Sequence, residues 1–344
     1  MLTNRVVEAI TPWVVTETTH LYELTIKEGA KVIAPEGKFL TLTVNGCGRP
    51  IKPGYYKGDV VVAVTEPYQM PAHGLKLNFA DMMSHIRGEE LDLDAIKTPV
   101  IQAAVISGNK VVEKNTNPAI IQGGKVDDNE TDGVYIASTE EDFCGIIVEG
   151  DSKYTIKNSR FDLEGNGHDD WLGKGTAISV VDNAEVEIDN CQFNYSGVTR
   201  CTIQAGMNSK VTVRNSRFLN MAPDGTEWVG NFSWQSSLRG HNRLTQLSDN
   251  ADVLYENCVM HSNGWGLCSI DGTSDPKDRG EGVTPWAVTM TLKDCDMTLT
   301  GPRQHGYGAF CIGDNHITMD HTRCDVYGQP VFLMGMEGKG RFRC

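Results

Sequence analysis

Between Cys144 and Gly206 a single alternation of apolar and polar positions is written three times. Cys144–Gly150 leads to Lys153–Phe161, Thr176–Asp182 leads to Glu185–Phe193, and Cys201–Gly206 leads to Lys210–Phe218. The period within each piece is two, the signature of strands. Each copy reads as strand, short turn, strand, Asn corner, strand. Copies of this length predict a stacked solenoid in which each unit buries its apolar face on the next. The pattern continues through Leu244–Asp249 with Asp252–Cys258, and through Leu267–Asp271 with Val288–Cys295 after a long insertion. It ends with Ala309–Asp314 and His316–Cys324, and with Pro330–Met334 as a last first strand.

Upstream, short strands are predicted from Tyr22 to Val64, punctuated by Gly29, Gly37 and Gly46. Residues 1–98 are read as N-terminal β coils or a cap, with a loop or short-helix insertion near 70–98. Residues 99–344 are read as the coil stack carrying a loop cleft. Aligning the copies exposes two ladders. Asn158, Asn190, Asn215 and Asn257, with Asp294, share the corner, where a left-handed residue is needed. One place on stand Ser159, Cys191, Ser216, Cys258, Cys295 and Cys324, so these cysteines read as small residues of the stack. No Cys-x-x-Cys spacing suggests a metal.

Three strands per coil, an Asn ladder at one corner and variable loops at another resemble the right-handed parallel β-helix family, the pectate-lyase-like group. The resemblance covers residues 100–344 clearly and 20–65 loosely. It implies an all-β, right-handed parallel β-helix. It does not fix an activity, because lyases, epimerases, hydrolases, adhesins and phage spikes share the fold. The Asp-Pro-His triplet of alginate epimerases is missing. The acidic calcium cluster and catalytic arginine of pectate lyases have no placed counterpart.

Thirty-six glycines and 8% aromatics suit a turn-rich β chain. A net charge of −14 argues against a nucleic-acid partner and, more weakly, against a polyanionic sugar. No apolar run has the length of a leader or a membrane span, so a cytoplasmic, reducing setting is expected. No cofactor is expected; calcium is left open with no motif behind it, and so is assembly into a homo-oligomer.

The loops entering the first strands collect the residues with chemistry. Gly173-Lys174-Gly175, Gly264-Trp265-Gly266 and Gly306-Tyr307-Gly308 read as one device, which sets Lys174, Trp265 and Tyr307 at one level and Arg200 and Arg243 at the next. Gln204 and Gln246 are read as outward side chains on a polar floor. Such a floor with aromatic walls suits a small-molecule or oligosaccharide substrate. The reading is an enzyme of lyase, isomerase or epimerase type acting by acid–base chemistry on a hydroxylated ring. His168 is the base or acid, oriented by Asp170, and His305 or Tyr307 is the second proton carrier; Asp271 faces the same cleft. Lys174, Arg200, Gln204, Trp234, His241, Arg243, Gln246 and Trp265 bind substrate. A carboxylate pair of Asp170 and Asp271 would instead serve glycoside hydrolysis. The competing class is a non-catalytic glycan-binding or surface module.

Overall fold

The computed structural model describes residues 3–68, 100–167, 175–197, 201–223, 242–248, 250–270, 288–300, 309–312, 315–327, 332–335 and 341–343. The insertion read near 70–98 falls outside them. The N-terminal strands are β1 (Thr3–Val7), β2 (Trp13–Val14), β3 (Thr19–Ile26), β4 (Val32–Ile33), β5 (Phe39–Val44), β6 (Cys47–Arg49) and β7 (Gly54–Thr65). A first coil follows: β8 (Ile101–Ser107), β9 (Lys110–Val111), two 3-10 turns (Glu113–Asn115 and Pro118–Ile120), then β10 (Ile121–Gln122), β11 (Lys125–Val126), β12 (Glu130–Asp132) and β13 (Tyr135–Ser138).

Regular three-strand coils then succeed one another. They are β14 (Phe143–Glu149), β15 (Lys153–Lys157), β16 (Arg160–Glu164); β17 (Thr176–Val180), β18 (Glu185–Asp189), β19 (Gln192–Ser196); and β20 (Cys201–Ala205), β21 (Lys210–Arg214), β22 (Arg217–Met221). Next come β23 (Arg243–Ser248), β24 (Asp252–Glu256), β25 (Val259–Ser262); β26 (Trp265–Ile270), β27 (Val288–Lys293), β28 (Asp296–Leu299); and β29 (Ala309–Ile312), β30 (Asn315–Asp320), β31 (Arg323–Val326). β32 (Phe332–Gly335) and β33 (Arg341–Arg343) end the described chain. First, second and third strands pair in parallel with their counterparts one coil away and form three long sheets. The expected three-strand β-helix is the observed architecture.

The alternation in the sequence becomes packing here. Tyr154, Ile156, Phe161, Leu163, Ile178, Val180, Val186, Ile188 and their equivalents turn inward and form one continuous core. Along the third strands Phe161, Phe193 and Phe218 stack at centroid distances of 5.2 and 5.0 Å, and Tyr255 meets Phe218 edge-on at 6.0 Å. The Asn corner is left-handed in each copy, with φ of 51° at Asn158, 52° at Asn190, 51° at Asn215, and 53° at Asn257 and Asp294. Asn190 Nδ2 donates to Asn158 Oδ1 at 2.8 Å, and Asn257 Nδ2 donates to Asn215 Oδ1 at 2.7 Å. A second asparagine ladder, which the sequence reading missed, runs up the other corner: Asn250 Nδ2 donates to Asn208 Oδ1 at 3.0 Å and Asn208 Nδ2 to Asn183 Oδ1 at 3.2 Å.

The serine–cysteine ladder needs one correction. Ser159, Cys191, Ser216, Cys258 and Cys295 do share a buried position, and burial pushes the Cys191 thiol up to about 12. Cys324, however, pairs with Met297 in the third-strand sheet, and Thr322 holds the ladder position, its Oγ1 accepting the Cys295 N–H at 3.2 Å. The corner residue of that coil is His321, with φ of 46°, so the step to the third strand starts two residues earlier than the spacing to Cys324 implied.

Residues 20–65 do not form coils. β3 pairs antiparallel with β7, β7 with β5 and β5 with β6. The β5–β6 connection is the two-residue Asn45-Gly46 turn, with φ of 51° and 75°, a hairpin geometry that joins antiparallel strands. Leu21, Leu24, Leu42, Val60 and Val62 make a separate apolar cluster on one face of this sheet. β6 then pairs in parallel with β13, so the N-terminal sheet runs on into the third-strand sheet of the coils. No helix among the described residues is long and apolar enough to cross a membrane.

Candidate functional site

In the first strands, core residues such as Ile146, Val148, Ile178, Val180, Ile203 and Ala205 alternate with residues on the opposite, outer face. Register places Val105, Ile147, Ser179, Gln204 and Gln246 in one outer row. A second row runs Thr176, Cys201, Arg243, Trp265. Pairing skips one residue in each strand between these rows, as at Gly145 and Ala177. The extra residue brings the two rows onto the same face: Arg243 Nη1 donates to Gln246 Oε1 at 3.4 Å although the residues are three apart.

The outer rows change character along the stack. At the N-terminal end Val105, Cys144 and Ile147 pack with Tyr68 and Val100 as an apolar cluster. Tyr68 also donates its hydroxyl to Glu149, and burial with that contact raises the phenol far above its usual range. Further on the row is polar, and Ser179 Oγ donates to Gln204 Oε1 at 2.6 Å. Gln204, Gln246 and Arg243 are 1%, 2% and 1% exposed. The sequence reading placed the two glutamines on the floor of an open cleft; the structure keeps them on the outer face but buries them. Gln246 Nε2 finds no hydrogen-bond partner among the described residues.

Arg243 is set by amides that the sequence reading did not single out. Asn220 Nδ2 donates to the Arg243 carbonyl at 2.7 Å, and Asn242 Nδ2 donates to Asn263 Oδ1 at 3.2 Å. Asn263 closes the mouth of the preceding loop, accepting from Ala222 N at 2.8 Å and donating to Ala222 O at 2.9 Å. Asparagines at the root of consecutive loops were the available signal. On the inner side Tyr195 Oη donates to the carbonyl of Gly175, where one long loop rejoins the stack.

Of the predicted site residues, the structure brings Gln204, Arg243 and Gln246 together and puts the Trp265 backbone on the Arg243 rung. The predicted levels need correcting. Trp265 aligns with Arg243, Cys201 and Thr176, so it shares the Arg243 rung instead of standing one level away from it. Arg243 pairs with Cys201, one place beyond Arg200. His168, Asp170, Lys174, Arg200, Trp234, His241, Asp271, His305 and Tyr307 lie outside the described residues. Among the described residues no group of three or more His, Cys, Asp or Glu is placed to hold a metal ion.

Glu140, at the foot of the first long loop, was not predicted. It is 8% exposed, and burial pushes its carboxyl up to about 7. An unfolded glutamate ionises near 4.5, so between about pH 4.5 and 7 the folded state keeps a proton that the unfolded chain has released. Stability therefore falls as pH rises through that window. Glu140→Gln is expected to flatten this slope and to stabilise the protein by roughly 2–3 kcal/mol at pH 8 while changing little at pH 4.5. Urea unfolding at both pH values checks it; an equal effect at both would mean that Glu140 is ionised in the fold at low pH.

The family model described as a right handed beta helix region matches residues 140–318, more than half of the 344. Comparison with curated proteins and with solved structures gave no match.

Proposed function

Because the chain belongs to the right-handed β-helix family, we propose that its outer first-strand rows hold a hydroxylated ring substrate, a carbohydrate or related cyclic polyol or phenol, for acid–base chemistry of lyase, isomerase or epimerase type. The observation behind this reading is a buried arginine hydrogen-bonded to a glutamine, next to a hydrogen-bonded Ser179–Gln204 pair, on the outer face of a rigid sheet. Water-excluded polar groups on such a surface are positioned before substrate arrives. In that low-dielectric setting Arg243 would hold a carboxylate or a developing enolate far more strongly than it could in water. Gln246 Nε2 supplies a further donor toward a substrate oxygen.

Removal of the proton alpha to the carbonyl falls, in this proposal, to His168 with Asp170, and proton return to His305 or Tyr307. Asp271 is the further carboxylate; Lys174, Arg200, Trp234, His241 and Trp265 complete substrate contact. The test is a thermal-shift and turnover panel of oligouronates, neutral oligosaccharides, cyclitols and polyhydroxylated phenols. A ligand present at hundreds of times Kd stabilises by about 3–4 kcal/mol. Turnover of the stabilising compound should fall about 10²–10³-fold in Arg243→Met, with far-UV circular dichroism unchanged. Undiminished turnover in that variant overturns the assignment. Binding without turnover in the unaltered protein favours the glycan-binding module instead.

A further inference from the structure

The ladder that follows the asparagine corner reads Ser159, Cys191, Ser216, Cys258, Cys295, Thr322. In most of its steps a hydroxyl meets the coil before it. Ser159 Oγ accepts the Val134 N–H at 3.2 Å, Ser216 Oγ the Cys191 N–H at 3.1 Å and Thr322 Oγ1 the Cys295 N–H at 3.2 Å. Only the step from Cys258 to Cys295 sets thiol on thiol in this ladder. Cys191 is kept from Cys258 by Ser216, a full coil between them.

The two cysteines are held coil to coil by backbone hydrogen bonds on either side. Asn257 N donates to Lys293 O at 3.0 Å, and Asp296 N donates to Cys258 O at 2.9 Å. Val259 then pairs with Asp296 as the third strands begin. Strands paired in this way lie about 4.7–4.9 Å apart, inside the about 4.4–6.8 Å between Cα atoms that a disulfide spans. The backbone is therefore already at bridging distance. The thiols also touch: Cys258 Sγ donates to the Cys295 sulfur, and the Cys258 N–H reaches the same atom. Burial opposes these contacts, but together they hold the Cys295 thiol below its ordinary range. Cys295 is 4% exposed and Cys258 1%, so the more acidic thiol is also the less buried.

We propose that Cys258 and Cys295 are a modification site, a thiol pair that hydrogen peroxide converts to a disulfide joining one coil to the next. The Cys295 thiolate, the nucleophilic form, attacks one peroxide oxygen. The O–O bond breaks, a sulfenic acid forms on Cys295, and the departing hydroxide takes up a proton as water. Cys258 Sγ then attacks the Cys295 sulfur, the S–O bond breaks, and the hydroxide released leaves as water with the Cys258 proton. Two thiols are oxidised, and one peroxide is reduced to two waters. The bridge closes the chain from Cys258 to Cys295, which carries β25, β26 and β27. Closing that loop restricts the unfolded chain, so the linked protein should resist urea better than the reduced one.

The experiment treats the folded full chain with hydrogen peroxide, removes the oxidant, alkylates the remaining thiols in urea and maps tryptic peptides without reduction. Trypsin places Cys295 in residues 294–303 and Cys258 in residues 244–277, which also hold Cys268. These two peptides should appear joined, two hydrogens lighter than their sum, and should separate on reduction, with Cys191 alkylated. Cys258→Ser and Cys295→Ser should each abolish the link; serine already stands at two places of this ladder, so both variants keep a residue the stack accepts. Peroxide should raise the urea midpoint of the unaltered protein, reversibly with dithiothreitol, and leave that of either variant unchanged. The proposal is overturned if both thiols are recovered alkylated, if Cys295 goes to sulfinic acid without a link, if Cys258→Ser leaves residues 294–303 joined to 244–277, or if the linked protein unfolds at no higher urea than the reduced one.

Discussion

Phe193→Ala should destabilise the coil stack by about 3–5 kcal/mol, the range for emptying a well-packed aromatic site. Phe193 lies between two partners, Phe161 at 5.2 Å and 15° and Phe218 at 5.0 Å and 28°, so truncation removes both stacking contacts together. Each such pair adds about 0.5–1.5 kcal/mol beyond the area it buries. Relaxation into the gap is restricted, because neighbouring coils are tied by parallel ladders on all three sides. Phe193→Leu keeps most of the volume and should cost markedly less. Urea unfolding of both variants, followed by far-UV circular dichroism, provides the comparison. Equal losses would mean that ring stacking, not volume, carries the contribution of this column.

Gly145→Ala should do as much damage with a single methyl group. Gly145 occupies the skipped position between the two outer rows, and a Cβ there would run into the carbonyl oxygen of Ala177 in the next coil. It would also sit 3.2 Å from Phe161 Cδ1. Neither neighbour is the free end of a flexible side chain. The cost should lie at or above the upper end of the about 1–3 kcal/mol typical of overpacking. Gly37→Ala is the contrast: nothing lies within 4 Å of its would-be Cβ, and only its φ of 73° opposes the change. That left-handed conformation costs roughly 1–2 kcal/mol for a residue with a Cβ. A melting temperature lowered no more by Gly145→Ala than by Gly37→Ala would refute the close approach of these coils.

The coil stack was readable because its physics repeats. Apolar residues two apart, one asparagine per corner and a small residue after it recur at fixed intervals, so errors in one copy are corrected by the others. Legibility failed where repetition stopped. Cys324 was misplaced because the sixth copy puts His321 at the corner instead of an asparagine, which removed the marker that fixed the register elsewhere. The N-terminal strands, expected as β coils or a cap, pair antiparallel, and Asn45-Gly46 carried the hairpin signal, a turn preference tied to two φ values. In the site, Arg243 and Gln246 could be placed on one face, but the residue inserted between the rows is a pairing feature that alternation cannot reveal. Asn220, Asn242 and Asn263 act through contacts between loop roots some twenty residues or more apart, which no local pattern encodes.

The junction of β6 with β13 can also be considered as a problem of growth. A stack of parallel strands ends in a row of unpaired amides and carbonyls, and any extended chain of matching pitch can add to it. At the N-terminal side of the third-strand sheet that row is taken by β6, paired through Cys47 with Ala137 and Gly48 with Ser138. Beyond β6 the direction of pairing reverses, since β5, β7 and β3 succeed one another antiparallel. A further coil of another copy therefore finds the β13 edge already taken, and the sheet itself ends at β1, which pairs with β3 in parallel. The N-terminal sheet thus stands where the next coil of the same stack would lie, as a terminator stands after the last unit of a chain.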